Sequence, residues 1–357
     1  MKPIKLIKPI EQILADDSLL APYRVSEGTA FEQRLAAFMR QQLATWPELR
    51  EAHEGLGKSL YKKFFLADLE IQLQHNPFRM KSSSAKVDKK SIEQRACFLC
   101  PENLYPDQRA LLYKNDWLIL ANPFPIFPEH MVVSHMNHLP QDIGACLGAM
   151  ISFVADSNGG FEAFYNGPAC GASAPDHLHF QAYPAGGIPL VSQVQLLLAA
   201  GMCLSQIDDM QGQSACFAGE VDLRGVFICR SRDSSALEDN LIRAVAHLKN
   251  VTHAPDEPLV NILIAADGPE IIGILLPRKA HRPACYFSQD GDHMVVSPGA
   301  VDVGGLLVLP RREDYEKMTR EQVRGIFSEV CHGIDVFAGM LTTEAAQVPC
   351  PPLLIQK

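Results

Sequence analysis

The densest chemistry in the sequence is the run Gly171-Ala172-Ser173-Ala174-Pro175-Asp176-His177-Leu178-His179-Phe180-Gln181-Ala182-Tyr183. Read as a strand, it puts Leu178, Phe180 and Ala182 toward a core and aligns His177, His179 and Gln181 on the opposite face. Imidazole and amide groups fixed in a row suit the processing of a phosphate ester or anhydride. One imidazole attacks phosphorus, and its neighbours orient it or hold the oxygens. A polar, solvent-facing edge strand is the competing reading. The small residues upstream, in Tyr165-Asn166-Gly167 and Gly171-Ala172-Ser173, weigh against it, because they let a ligand approach the backbone closely.

A second constellation is Cys97-Phe98-Leu99-Cys100 with His138 and His177 further on. Two thiolates and two imidazoles make a tetrahedral zinc set in a reducing compartment. The competing reading is two buried thiols and unrelated histidines. His138 is preferred as third ligand because it precedes a helix start at Leu139-Pro140-Gln141-Asp142, and His135 is its substitute. Two basic clusters are candidate phosphate sites: Arg278, Lys279 and Arg282 within Pro277–Pro283, and Arg79 with Lys81. A solvated turn is the alternative for each.

These groups need elements to hold them. Residues 29–75 carry apolar positions at helical spacing, predicting one or two amphipathic helices. Residues 76–95 are basic and Ser-containing, and read as an exposed or ligand-facing loop. Strands are predicted at 117–120, 130–133, 161–165 and 177–183, with a helix at 142–155 between the second and third. The second half repeats this grammar: strand 221–229, helix 234–248, then strands 259–265 and 270–276 flanking the turn signal Asp267-Gly268. A further strand is expected at 301–311, leading into a helix at 319–332. The division into two α+β units falls near residue 210.

The chain has 357 residues, 47% of them apolar and 20% charged, enough for two compact units with large cores. Its formal net charge of −9 disfavours a nucleic-acid partner and requires any anion site to be a local basic pocket. The first residues have charge without an apolar stretch behind them, so no secretory signal is expected. No apolar run is long enough to span a membrane. The ten cysteines are therefore expected as reduced thiols in the cytoplasm.

The string Tyr165-Asn166 … Gly171-Ala172-Ser173 … His177-Leu178-His179-Phe180-Gln181-Ala182-Tyr183 resembles the active-site signature of the histidine-triad superfamily. The match is to its transferase branch, which includes galactose-1-phosphate uridylyltransferase, diadenosine tetraphosphate phosphorylase and the GDP-hexose phosphorylases, and is closest to the last. Asn122–Pro140 and Val296–Arg311 resemble further parts of that branch. One departure is the spacing before His177, a residue longer than usual. The resemblance implies that the middle residue, His179, is the nucleophile. It also implies that glutamine at the third position, Gln181, marks a transferase or phosphorylase rather than a hydrolase. Asn166 and Ser173 are then substrate-binding, and Cys97, Cys100, His138 and His177 a structural zinc site like that of the uridylyltransferases.

The expected fold is α+β: tandem histidine-triad-like halves, antiparallel sheets with packed helices, a fused pseudo-dimer. Residues 1–59 would be a helical extension, 60–205 the catalytic half and 206–357 a degenerate half without a His-x-His, lending Arg278, Lys279 and Arg282 to the live site. The expected activity is cleavage of a nucleoside-diphosphate sugar, a GDP-hexose, through a nucleotidyl-histidine. The alternatives are a dinucleoside polyphosphate phosphorylase and a non-catalytic nucleotide-sugar sensor. The expected partners are a nucleotide sugar and phosphate, with a homodimer allowed and no nucleic acid or membrane.

Overall fold

The structure is a computed structural model that describes residues 10–24, 30–66, 69–80, 88–201, 204–207, 214–289 and 291–341. Its strands are β1 Leu60–Leu66, β2 Leu69–His75, β3 Ala110–Tyr113, β4 Trp117–Ala121, β5 Met131–His135, β6 Phe161–Asn166 and β7 His179–Pro184. There follow β8 Leu204–Ile207, β9 Ser214–Val221, β10 Arg224–Ser231, β11 Val260–Asp267, β12 Glu270–Pro277 and β13 Leu306–Leu309.

Ten strands form one sheet in the order β3-β4-β5-β7-β6-β11-β12-β10-β9-β8. All its pairings are antiparallel. Each half is a three-stranded meander, a helix, and a hairpin whose last strand returns beside the meander. The helices are Ile143–Asp156 and Ser234–Val251. The halves meet where β6 pairs with β11, Asn166 opposite Asn261. This is the expected pseudo-dimer: two copies of one unit fused through a continuous sheet, which leaves no open edge between them.

One face of the sheet carries both helices, and its core includes Phe180, Ala182, Tyr165, Ile264 and Leu275 around Phe153 and Leu241. The other face packs Tyr183, Phe164, Ile272, Ile274 and Leu276 against Val301, Leu307 and Phe327. Aligning the prolines that end β7 and β12, Pro184 and Pro277, sets Ile272 and Ile274 where His179 and Gln181 stand. Both isoleucines are fully buried or nearly so. The second half has filled its equivalent of the face that carries His179 and Gln181 with core.

Four expectations about elements need correction, one being the strand 221–229, which spans the end of β9, a turn at Asp222-Leu223 and most of β10. The helical reading of 29–75 holds for Ala30–Thr45 and Pro47–Leu56, but 60–75 is the hairpin β1–β2. Gly55 and Gly57 end the helix, and β2 then finds a parallel partner in β13, a pairing too distant in sequence to leave a local pattern. The strand expected at 301–311 is only Leu306–Leu309, after a short helix at Ala300–Val303. The strand expected from His177 begins at His179. The Asp267-Gly268 hairpin is present, with Gly268 at φ +58°. Among the described residues, no helix is long and apolar enough to cross a membrane.

Candidate active site

A cavity of about 520 Å³ lies over the face of β7 that carries His179 and Gln181, within the size range of ligand sites. His179, Gln181, Asn166 and Ser173 line it, and so do Arg79, Arg95 and Arg282. Phe98, Leu99, Leu120 and Val132 make an apolar wall, suited to a flat base. Three guanidinium groups around one hollow, in a chain of net charge −9, form the local basic pocket that a polyphosphate requires.

His179 is 3% exposed. Its Nδ1 lies 2.8 Å from the carbonyl oxygen of His177. A carbonyl only accepts, so Nδ1 carries the proton and Nε2 keeps its lone pair. Burial pushes the imidazole down to about 4, which leaves it neutral near pH 7. The tautomer therefore leaves Nε2 an unprotonated base. Asn122 Nδ2 donates to Gln181 Oε1 at 3.2 Å, while Asn122 Oδ1 accepts from Phe124 N. With Oε1 held, Gln181 offers its –NH2 group to the cavity. Asn166 is fixed the same way, its Oδ1 accepting from Asn261 Nδ2 and Ala300 N at 2.9 and 2.8 Å. Gly171, at φ +114°, passes so close that a Cβ there would lie 2.9 Å from Asn166 Oδ1.

His177 faces away from this cavity. Its Nε2 donates to the His135 carbonyl at 2.7 Å, and its Nδ1 lies 3.3 Å from Cys97 Sγ and 3.6 Å from Cys100 Sγ. His138 Nδ1 is 3.2 Å from Cys100 Sγ. The four donor atoms lie within 4.8 Å of one another. A tetrahedron with Zn–S of about 2.3 Å and Zn–N of about 2.0 Å has edges near ~3.5 Å, so the donor set fits a metal ion of that kind. Its outer contacts are also built. Asp176 accepts from Arg95 at 2.8 Å and faces His138 Nε2 at 3.8 Å, the carboxylate–histidine arrangement that orients metal ligands. Burial, with neighbouring Cys97, pushes the Cys100 thiol up to about 12, a cost that a dication between the sulfurs removes. His135 lends only its backbone, its ring bonding Asn137.

The predicted cations separate. Arg282 lines the cavity, donating to Ser297 Oγ at 2.9 Å and stacking 4.2 Å over Tyr286. Arg79 also lines it, donating to the Phe124 carbonyl at 2.7 Å. Burial lowers its guanidinium to about 10, so it keeps its charge. Arg278 is buried, and its guanidinium donates to Asn261 Oδ1 and to the carbonyls of Val330, Ala280, His281 and Pro298. It braces the seam between the halves and does not line the cavity. Lys279 reaches the Ser328 carbonyl beside a different hollow. Lys81 lies outside the described residues. Sequence reasoning missed Arg95, which donates to Ser173 O and Asp176 and packs 4.8 Å from the Phe98 ring. It also missed Asn122 and Gln141. Charge inside a basic loop pointed to Arg95; nothing local pointed to the two amides.

A profile described as a domain of unknown function (DUF4922) matches residues 38–184. One described as "GDPGP1-like, C-terminal domain" matches residues 220–340. No curated protein matches the chain. Yeast Ap4A phosphorylase Apa2 is similar in structure, at 14% identity over 80% of this chain and 93% of that one, with a TM-score of 0.52. Its complex with Ap4A gives a TM-score of 0.51 at 14% identity, over 80% and 96%. A uridylyltransferase mutant is similar at a TM-score of 0.37 and 14% identity, over 66% and 91%. At this identity the likeness to Ap4A phosphorylase is one of fold.

Proposed function

We propose that the chain is a histidine-triad-type nucleotidyl transferase or phosphorylase that cleaves a nucleoside-diphosphate sugar, a GDP-hexose, a reading supported by the GDPGP1-like match of the second half and by the fold shared with Ap4A phosphorylase. The observation that carries the reading is the His179 tautomer. Its Nδ1 proton is committed to the His177 carbonyl, so Nε2 is the free base at the cavity. In this mechanism Nε2 attacks the α-phosphorus. The bond from that phosphorus to the bridging oxygen breaks, and hexose 1-phosphate leaves with the electron pair. Phosphate then displaces the histidine and forms GDP. The leaving group is already a stable anion and needs no strong acid, which suits a neutral amide at Gln181 that holds an oxygen without protonating it. Arg79, Arg95 and Arg282 offset the charge that gathers on the phosphates.

We further propose that the Cys97, Cys100, His138 and His177 donor set holds a structural zinc ion. The ion would hold the four residues together, and its contribution to catalysis is positional, because the His177 backbone also orients His179. The GDPGP1-like second half supports a GDP sugar. The fold shared with Ap4A phosphorylase supports a second reading, phosphorolysis of a dinucleoside polyphosphate by the same steps. A panel of GDP-hexoses, other nucleotide sugars and Ap4A under excess phosphate separates them. Acid-labile, base-stable nucleotide label on His179 is the expected intermediate. No label from any panel member would sink the mechanism.

A further inference from the structure

The two hairpins of the pseudo-dimer differ in their connection, residues 167–178 in the first and 268–269 in the second, and in how far their ladders run toward it. In the second half β11 and β12 pair along their whole length, from Val260↔Pro277 to Asp267↔Glu270. In the first half β6 and β7 pair only from Phe161↔Pro184 to Phe164↔Gln181. Continuing that register would bring Asn166 opposite His179. The equivalent pair in the second half, Ala265↔Ile272, is formed. Between Asn166 and His179 stands the side chain of Gln141 instead. Its Oε1 accepts the His179 N–H at 2.8 Å, and its Nε2 donates to the His179 carbonyl at 2.9 Å and the Asn166 carbonyl at 3.0 Å.

We propose that Gln141 is a positioning residue for the nucleophile: a side-chain amide inserted as a wedge between β6 and β7, replacing the missing main-chain partner of His179 and holding the hairpin open. A primary amide carries a donor and an acceptor in one plane, so it satisfies both backbone groups of His179 as a neighbouring strand would. The wedge also gives the substrate its opening. Were the ladder to close as in the second half, Asn166 would move onto β7, and its amide could no longer stand in the cavity. Gln141 is itself fixed, being 6% exposed, with its backbone N–H donating to the Pro175 carbonyl and Asp142, the N-cap of the helix Ile143–Asp156, directly after it. Both main-chain hydrogen bonds of His179 thus run through one side chain.

The inference rests on His179 as the nucleophile, and its test has one arm that needs no turnover. Gln141→Leu removes all three bonds. Gln141→Glu keeps the acceptor for the His179 N–H and loses the two donated bonds. With GDP-glucose and phosphate, kcat should fall at least about tenfold in both variants, with KM within about threefold of wild type. In substrate-free protein followed by NMR, the His179 amide should exchange at least about tenfold faster in Gln141→Leu. The Phe180 amide, on the strand edge that faces β5, should be unchanged. Unaltered kcat in an active wild-type background, or unaltered His179 exchange, overturns the proposal. So does unfolding of both variants, since Gln141 would then hold the fold rather than the nucleophile. If wild type turns over neither GDP-glucose nor Ap4A, the functional reading fails and the exchange arm still decides the wedge.

Discussion

At the scale of single residues, the site works by committing one end of each polar group and leaving the other free. His179 spends Nδ1 on a carbonyl, Gln181 spends Oε1 on Asn122, and Asn166 spends Oδ1 on Asn261 and Ala300. What faces the cavity is one lone pair and two amide –NH2 groups, a set matched to a phosphoryl group and its oxygens. His179→Asn should therefore lower turnover at least about a thousandfold and abolish nucleotide labelling, with the melting temperature close to wild type. A variant that still acquires label would move the nucleophile elsewhere. The chemistry of these residues was legible from type and spacing alone, because a strand fixes which side chains share a face. Leu178, Phe180 and Ala182 do point into the core. His177 could not be placed that way, since it stands before the strand and turns to the cysteines. Gln141 and Asn122 left no pattern, because their partners are single atoms brought close only by the folded sheet.

At the scale of elements, two attachments fix the helix Ile143–Asp156 and the loop that leads into β7 at His179. The first is the proposed metal site, whose donor set joins the segment at 97–100, the turn at His138 and the loop end at His177. Cys100→Ser should lose the metal, about one ion per chain by elemental analysis of wild type, and lower the melting temperature by several degrees. Retention of full metal content would refute the assignment. The second attachment is Glu257 from the other half, whose carboxylate accepts Ile143 N at 2.7 Å and Tyr165 OH at 2.9 Å. Burial pushes Glu257 up to about 7, from an ordinary 4.5. The folded protein then holds a proton that the unfolded chain has released, so stability falls as pH rises from about 4.5 to about 7 and stays reduced above. Gln at this position still accepts both bonds and never ionises. The melting temperature of Glu257→Gln relative to wild type should accordingly rise between pH 5 and pH 8. A constant difference would show that Glu257 does not titrate in this window. Neither attachment is visible from helix periodicity. The CxxC motif announced the first, whereas Glu257 acts across a long sequence separation, as β13 does on β2.

At the scale of the whole molecule, one sheet carries two copies of a unit, and only the first copy has histidine and glutamine on its last strand. The second copy contributes in two ways: through the seam, where Arg278 and Asn261 support Asn166, and through Arg282 at the cavity wall. Arg282→Ala should weaken turnover or binding at least about tenfold, or ~1.4 kcal/mol, without unfolding, and full activity would remove this cross-half role. The stronger test of the division of labour is to offer the second half a nucleophile. Ile272 occupies the place of His179 but is wholly buried, in an apolar core with Leu307 and Phe327. Its hairpin pairs through that position, with Ala265 opposite and no wedge to open it. A histidine there would lose Ile packing and bury an unpartnered polar ring, each costing a few kcal/mol. Ile272→His placed in a His179→Asn background should therefore acquire no nucleotide label and unfold at lower temperature than its parent. Label on the new histidine would mean that the fold alone suffices to make a site. Its absence, with labelling retained by the Ile272→His single variant, would assign reactivity to the opened hairpin of the first half.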